Sequence, residues 1–190
     1  GGVDAIVFTG GIGENDRELR AAVAEHLRQR GERPVVMVDY LQILKPDDPR
    51  ATDKQNTDRA VVELSSFQLH DMHCSPDVAV ITNLSPNHLD YHTDMQEYID
   101  AKKNIFLHQT PNNRLVYNYD NPVSRDLIAR SGREAVPFSI SGGTDRGVLL
   151  RGRVIHYVDG ERDEPVLDVG DIRIPGRHNV ENYMAAIGAV

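Results

Sequence analysis

Glu63 closes an apolar run and is followed by hydroxyl and amide side chains, Ser65, Ser66 and Gln68. An acid at the carboxyl end of a buried strand stands where open α/β sheets bind ligands. Its hard oxygens can hold Mg²⁺ directly or through water. Acids of this kind also cap neighbouring loops, so Glu63 alone admits both roles. A second apolar run, 78–84, leads to a turn at Pro86 with His88 and Asp90 just beyond it, which also suits an ordinary polar helix start. Lys102 and Lys103 follow on a helical stretch whose apolar anchors are Tyr98, Ile105 and Phe106. Residue type alone gives two adjacent lysines a solvated helix face.

Three glycines, Gly10, Gly11 and Gly13, fall in the string Phe8-Thr9-Gly10-Gly11-Ile12-Gly13-Glu14-Asn15. Glycines permit tight turning and close approach of backbone to a phosphate. A helix starting at Asn15 or Asp16 would add unpaired N–H groups and a positive dipole end. The loop has no lysine, however, and Glu14, Asp16 and Glu18 bring carboxylates that repel a triphosphate. His70, His73 and Cys74, with His88 and His92 downstream, have residue types that suit a transition metal. No paired-cysteine motif accompanies them.

The elements that must position these residues follow from periodicity. Residues 4–9 and 35–41 read as buried strands, and 17–30 as a helix with capping-box spacing between Asn15 and Glu18 and a stop at Gly31. The polar stretch 45–59 reads as an exposed loop. Strands are expected at 61–69, 78–84 and 114–118, and helices at 95–108, 124–130 and 179–190. From Gly147 the pattern alternates around a turn at Asp159-Gly160, which predicts a small antiparallel hairpin. Strands alternating with helices, then this hairpin, predict a three-layer, mostly parallel α/β sheet in a single domain, 1–190.

A length of 190 residues suits one such domain. The net charge of −8 argues against a general nucleic-acid or anionic-membrane surface. One cysteine rules out an internal disulfide and suits a reducing, cytoplasmic setting. No apolar run approaches the ~20 residues of a bilayer span, so neither nucleic acid nor membrane is an expected partner. Both ends look cut, which makes the chain read as a piece of something larger.

In order, the strings ELSSFQL, NLSPNHLDYH, YxxAKxxIF and IPGRHNVENYMAAIGA resemble the central, P-loop-NTPase-like domain of the Mur ligases, within their D-glutamate-adding branch. The resemblance covers about 61–190. It implies ATP and Mg²⁺ as cofactors and a nucleotide as partner. The reaction it implies is activation of a UDP-muramoyl carboxylate by ATP to an acyl phosphate, followed by attack of the D-glutamate amine. It further implies that Glu63, His88 and a carbamylated Lys102 are the catalytic metal ligands. Ser65 and Gln68 would then lie near the UDP-muramoyl substrate, and Asn179 and Asn182 would face the adenine. The family's N-A-D-D stretch is only partly matched by Asn118-Tyr119-Asp120-Asn121. Its G-x-x-G-K-[ST] loop is absent.

Residues 1–32 instead resemble the nucleotide-binding strand–loop–helix of acetate kinases, in which Gly10, Gly11 and Gly13 would lie against the nucleotide. Residues 33–62 resemble the Walker-B strand of RecA-like hexameric helicases, with Asp39 near Mg²⁺ and Gln42 near the nucleotide-sensing end. Three resemblances in one chain point to an engineered or assembled mosaic, 1–32, 33–62 and 63–190, with junctions near 28–34 and 59–63. The expected function is nucleotide and magnesium binding by descent, without a complete ligase reaction in this chain alone. The alternative is a recombined α/β scaffold with no ligand. Helicase-like activity is set aside, because the chain shows no phosphate-loop lysine, arginine finger or basic channel.

Overall fold

The structure is a computed structural model that describes residues 5–9, 36–38, 60–85, 94–174 and 176–190. Among these residues nine strands form one sheet: β1 (Ala5–Thr9), β2 (Val36–Val38), β3 (Ala60–Glu63), β4 (Val78–Ile81), β5 (Arg114–Asn118), β6 (Val136–Ser139), β7 (Gly147–Arg151), β8 (Val154–Asp159) and β9 (Arg162–Asp168). Four α-helices accompany them: α1 (Ser66–His70), α2 (Met95–Leu107), α3 (Pro122–Ser131) and α4 (Arg177–Ala189). The spatial order is β2-β3-β1-β4-β5-β6-β7-β8-β9. Pairing is parallel from β2 through β7 and antiparallel for the last two pairs.

The three layers follow from the two-residue period of a strand. All four residues of β4 are buried, as expected for a parallel strand covered on both faces. Val78 and Val80 point into a core with Val116, Phe138, Val148 and the α4 residues Met184 and Ala185. Ala79 and Ile81 point the other way, into a core with Leu69, Ile105, Phe106, Leu115 and Ile128 from the α1–α3 side. The helices have local stop and start signals as well. Asp94 caps α2 by accepting from the Glu97 N–H at 2.8 Å. Asn121 caps α3 by accepting from the Ser124 N–H at 2.8 Å, Pro122 occupies the first turn, and Gly132 ends the helix at φ 66°.

The expected α/β class, the strand at 114–118 and the helices near 95–108, 124–130 and 179–190 are all present. Three local expectations are corrected. The strand expected over 61–69 divides, because Ser65 and Gln68 close a capping box that starts α1. Val136–Ser139 is a strand that the sequence did not announce, since Pro137 interrupts its apolar pattern. The late hairpin is a three-stranded extension of the main sheet: β7 joins β6 in parallel before the chain turns at Gly152 and Gly160. The helix expected at 17–30 lies outside the described residues. Among the described residues no helix is long and apolar enough to cross a membrane.

Gly147 shows how tightly the β6–β7 join is built. Its φ is +91°, and a Cβ there would sit 2.0 Å from the Pro137 carbonyl oxygen. A side chain is therefore opposed both by backbone strain and by a backbone clash. Gly147→Ala is expected to lower stability by about 3 kcal/mol, measured by urea denaturation. A wild-type midpoint would contradict this packing.

Candidate functional site

The carboxyl ends of β3, β1 and β4 lie side by side. Phe8 of β1 is in register with Glu63 of β3 and with Val80 of β4, and Thr9 is in register with Ile81. The segment that leaves β1 therefore starts on the same edge as Glu63 and Thr82. Gly10, Gly11, Gly13, Asp39, Gln42, His88 and His92 themselves lie outside the described residues.

Lys102 is the most unusual side chain at this edge. It is 4% exposed, which corrects the solvated helix face expected for it. Its Nζ donates a hydrogen bond to the Leu64 carbonyl at 3.1 Å and stands 6.0 Å from the centre of the Tyr98 ring. Burial lowers its pKa to about 8, against an opposing pull from the Glu63 carboxylate. The sequence did carry a signal for this burial. Tyr98, Ala101, Lys102 and Ile105 fall at i, i+3, i+4 and i+7, one stripe of a helix, and all four are buried. Lys103 next to it is only half-buried.

Ser65 and Gln68 satisfy each other. The Ser65 N–H donates to Gln68 Oε1 at 2.8 Å, and the Gln68 N–H donates to Ser65 Oγ at 3.3 Å. Both residues are exposed beside Glu63. Asn179 is 3% exposed and Asn182 half-buried on α4. That helix covers the opposite face of the sheet from α1 and α2, so the two asparagines belong to a different layer from Glu63 and Lys102. His70 pairs with Asp71 at 3.1 Å and lies 3.7 Å from Glu97. Hydrogen bonding to Asp71 raises its pKa. Among the described residues no three His, Cys, Asp or Glu side chains gather as a metal-ligand set.

Sequence reasoning overlooked Asp120. It accepts from Ser139 Oγ at 2.6 Å, from the Ile140 N–H at 2.8 Å, from the Ser141 N–H at 3.1 Å and from Ser141 Oγ. Burial works against its charge, but these hydrogen bonds prevail and hold the carboxyl below its ordinary range. The next residue, Asn121, donates from Nδ2 to the Leu84 carbonyl at 3.0 Å and to Asn83 Oδ1. These two side chains tie the carboxyl ends of β4, β5 and β6 together. The only sequence signal was the partial N-A-D-D string that contains them.

The description "Mur ligase middle domain" matches residues 43–190, beginning inside the stretch read as helicase-like. The description "Acetokinase family" matches residues 1–53, further than the 1–32 expected. The UDP-N-acetylmuramoylalanine–D-glutamate ligase of Acetivibrio thermocellus is 48% identical over 136 residues, which are 72% of this chain and 29% of that protein. The chain thus spans less than a third of the length of this curated relative. Among solved structures, the UDP-N-acetylmuramate:L-alanyl-gamma-D-glutamyl-meso-diaminopimelate ligase from Neisseria meningitides has a TM-score of 0.66 at 18% identity, over 98% of this chain and 60% of that one. MurF ligase from Thermotoga maritima, solved in complex with ADP, has a TM-score of 0.57 at 15% identity, over 97% of this chain and 44% of that one. At such identities the two structures bear on the fold alone.

The Lys102 amine yields a pH test. Its pKa is about 8 in the fold and 10.5 ordinarily, so the unfolded chain holds more protons between these values. Stability contributed by this site therefore rises with pH from about 8 to about 10, by an amount on the order of 3 kcal/mol. Lys102→Met is expected to lack that rise, as read from urea midpoints at pH 7.5 and pH 10. Parallel profiles for the two proteins would show that the amine is not desolvated.

Proposed function

Because this chain belongs to the Mur ligase family through its middle domain, we propose that the Glu63–Lys102 corner is the metal-holding half of an ATP-dependent ligase site serving peptidoglycan-precursor synthesis. The observation that carries this reading is the burial of the Lys102 amine, against the Leu64 carbonyl and within the field of Glu63. A pKa near 8 leaves a share of the amine neutral at physiological pH, and a neutral amine is a nucleophile. Its lone pair forms an N–C bond to CO₂ and releases one proton to water, leaving a carbamate. That change turns a cation into an anionic oxygen donor beside the Glu63 carboxylate. Hard oxygen donors are what magnesium takes, so the described residues fit the ion. Glu63, His88 and carbamylated Lys102 are its proposed holders, and a bound ion would neutralise phosphate charge during transfer.

The remaining roles are proposed on placement. Gly10, Gly11 and Gly13 follow a strand that ends on the Glu63 edge, which is where a nucleotide-facing turn belongs. Ser65 and Gln68 are exposed next to Glu63 and offer polar groups to a UDP-muramoyl substrate. Asn179 and Asn182 are proposed to face the adenine. The D-glutamate acceptor is suggested by the name of the Acetivibrio relative. These 190 residues alone are not expected to complete the joining reaction, because the loop lacks a lysine and carries Glu14, and Asp16 and Glu18 follow it. The two family matches meet in the overlap 43–53, which supports a recombined origin for the chain.

Titration with ATP and Mg²⁺ tests the reading. At a hundred times Kd, binding to the native state adds about 2.7 kcal/mol of stability, which corresponds to a rise of about 5–10 °C in melting temperature. Glu63→Ala is expected to remove the magnesium-dependent part of the rise. No shift at millimolar nucleotide would favour the ligand-free scaffold, the reading to which the acids of the glycine loop already lean. Joining of D-glutamate to the UDP-muramoyl substrate by the purified chain would overturn the claim that it does not complete the reaction alone.

A further inference from the structure

The segment that carries Glu63, Ser65 and Gln68 continues into α1, a helix of five residues. Isolated helices of that length do not persist in water. Its capping box joins Ser65 to Gln68 and so holds the first turn to itself, without fixing where that turn lies. Leu69, fully buried, is one anchor to the rest of the protein. Leu64 and Ser66 are buried beside it, and side-chain hydrogen bonds reach the segment from the neighbouring helix α2. Lys102 of α2 holds the carbonyl before α1, that of Leu64, at 3.1 Å. Asn104, two residues further along α2, donates from Nδ2 to the carbonyls that end α1, those of Leu69 at 2.9 Å and His70 at 3.1 Å. One helix thus grips residues 64–70 at both ends.

Asn104 is itself held from behind. Ser75 Oγ donates to the Asn104 carbonyl at 2.8 Å and accepts from the His108 N–H at 3.0 Å. That tie secures the end of α2 without touching residues 64–70. Ser75 therefore binds only the backbone of α2, whereas the side-chain amide of Asn104 reaches the segment after Glu63. We propose that Asn104 is a positioning residue: by fixing the carboxyl end of α1 on α2 it sets where Glu63, Ser65 and Gln68 stand relative to the Lys102 amine. Its reason for being an asparagine is that two converging carbonyls require a donor with two N–H groups.

This inference rests on the proposed role of Lys102, and its test keeps the two apart. The chain is incubated with ¹³C-bicarbonate and Mg²⁺, and the Lys102 carbamate is followed by ¹³C NMR. Amide hydrogen exchange of α1 is measured in parallel. Asn104→Asp keeps the size but loses the donor, and Asn104→Ala loses it without adding charge. Both are expected to speed exchange at Leu69 and His70 about fivefold to tenfold and to reduce carbamate severalfold, with β5–β8 still protected. Gln96→Ala, which removes an exposed side-chain pair with Asp100 on the same helix, is expected to leave both readouts at wild-type values. Wild-type exchange and carbamate in both Asn104 variants would overturn the inference, as would an equal effect of Gln96→Ala. If the unmodified chain forms no carbamate, the reading of Lys102 fails, and exchange at α1 alone decides the role of Asn104.

Discussion

Seven strands that run in one direction must all end on one edge, and this structure is arranged around that consequence of parallel pairing. Parallel neighbours cannot be joined by tight turns, and among the described residues α2, α3 and α4 lie on the two faces of the sheet and cover them. The strands between are then buried on both sides, as β4 is along its whole length. Polar side chains collect where the strands stop. Glu63 ends β3, Thr82 follows β4, Asp120 follows β5, and Ser139 ends β6. Packing makes the sheet, and the sheet makes one polar edge.

That edge contains two different answers to the problem of a partly buried charge. Asp120 is met by serine hydroxyls and backbone N–H groups, which outweigh the cost of burial and favour its charged form. It is a strut, joining β5 to the turn after β6. Lys102 donates to the Leu64 carbonyl, stands 6.0 Å from the Tyr98 ring centre and feels the pull of the Glu63 carboxylate, yet burial prevails and lowers its pKa. A lysine held this way costs stability, and an apolar side chain of similar length would fit the same stripe at lower cost. The lowered pKa of this buried amine is the physical premise of its proposed role.

The same contrast separates what was readable in the residues from what was not. The strand 114–118 and the helix near 95–108 were readable because their apolar spacing is regular and their boundaries carry caps or turns. β6 was not, because Pro137 suppresses the strand pattern and only neighbours on both sides supply the pairing that overrides it. Lys102 was half readable. Its place in the Tyr98–Ile105 stripe pointed inward while its residue type pointed outward, and periodicity proved the better guide.

The α/β class, the strand 114–118, the helices near 95–108, 124–130 and 179–190, the acid that ends β3 and the ligase-like strings were settled by the sequence itself, because each depends on neighbours within a few positions. The tertiary structure decided that β1 ends beside Glu63, since that depends on β1 lying between β3 and β4, which local patterning does not encode. It also decided that Lys102 is desolvated and that Asn104 and Lys102 bracket α1. Burial and long-range hydrogen bonds join residues some 35 positions apart, and only the folded packing of α2 on the end of β3 brings them within reach.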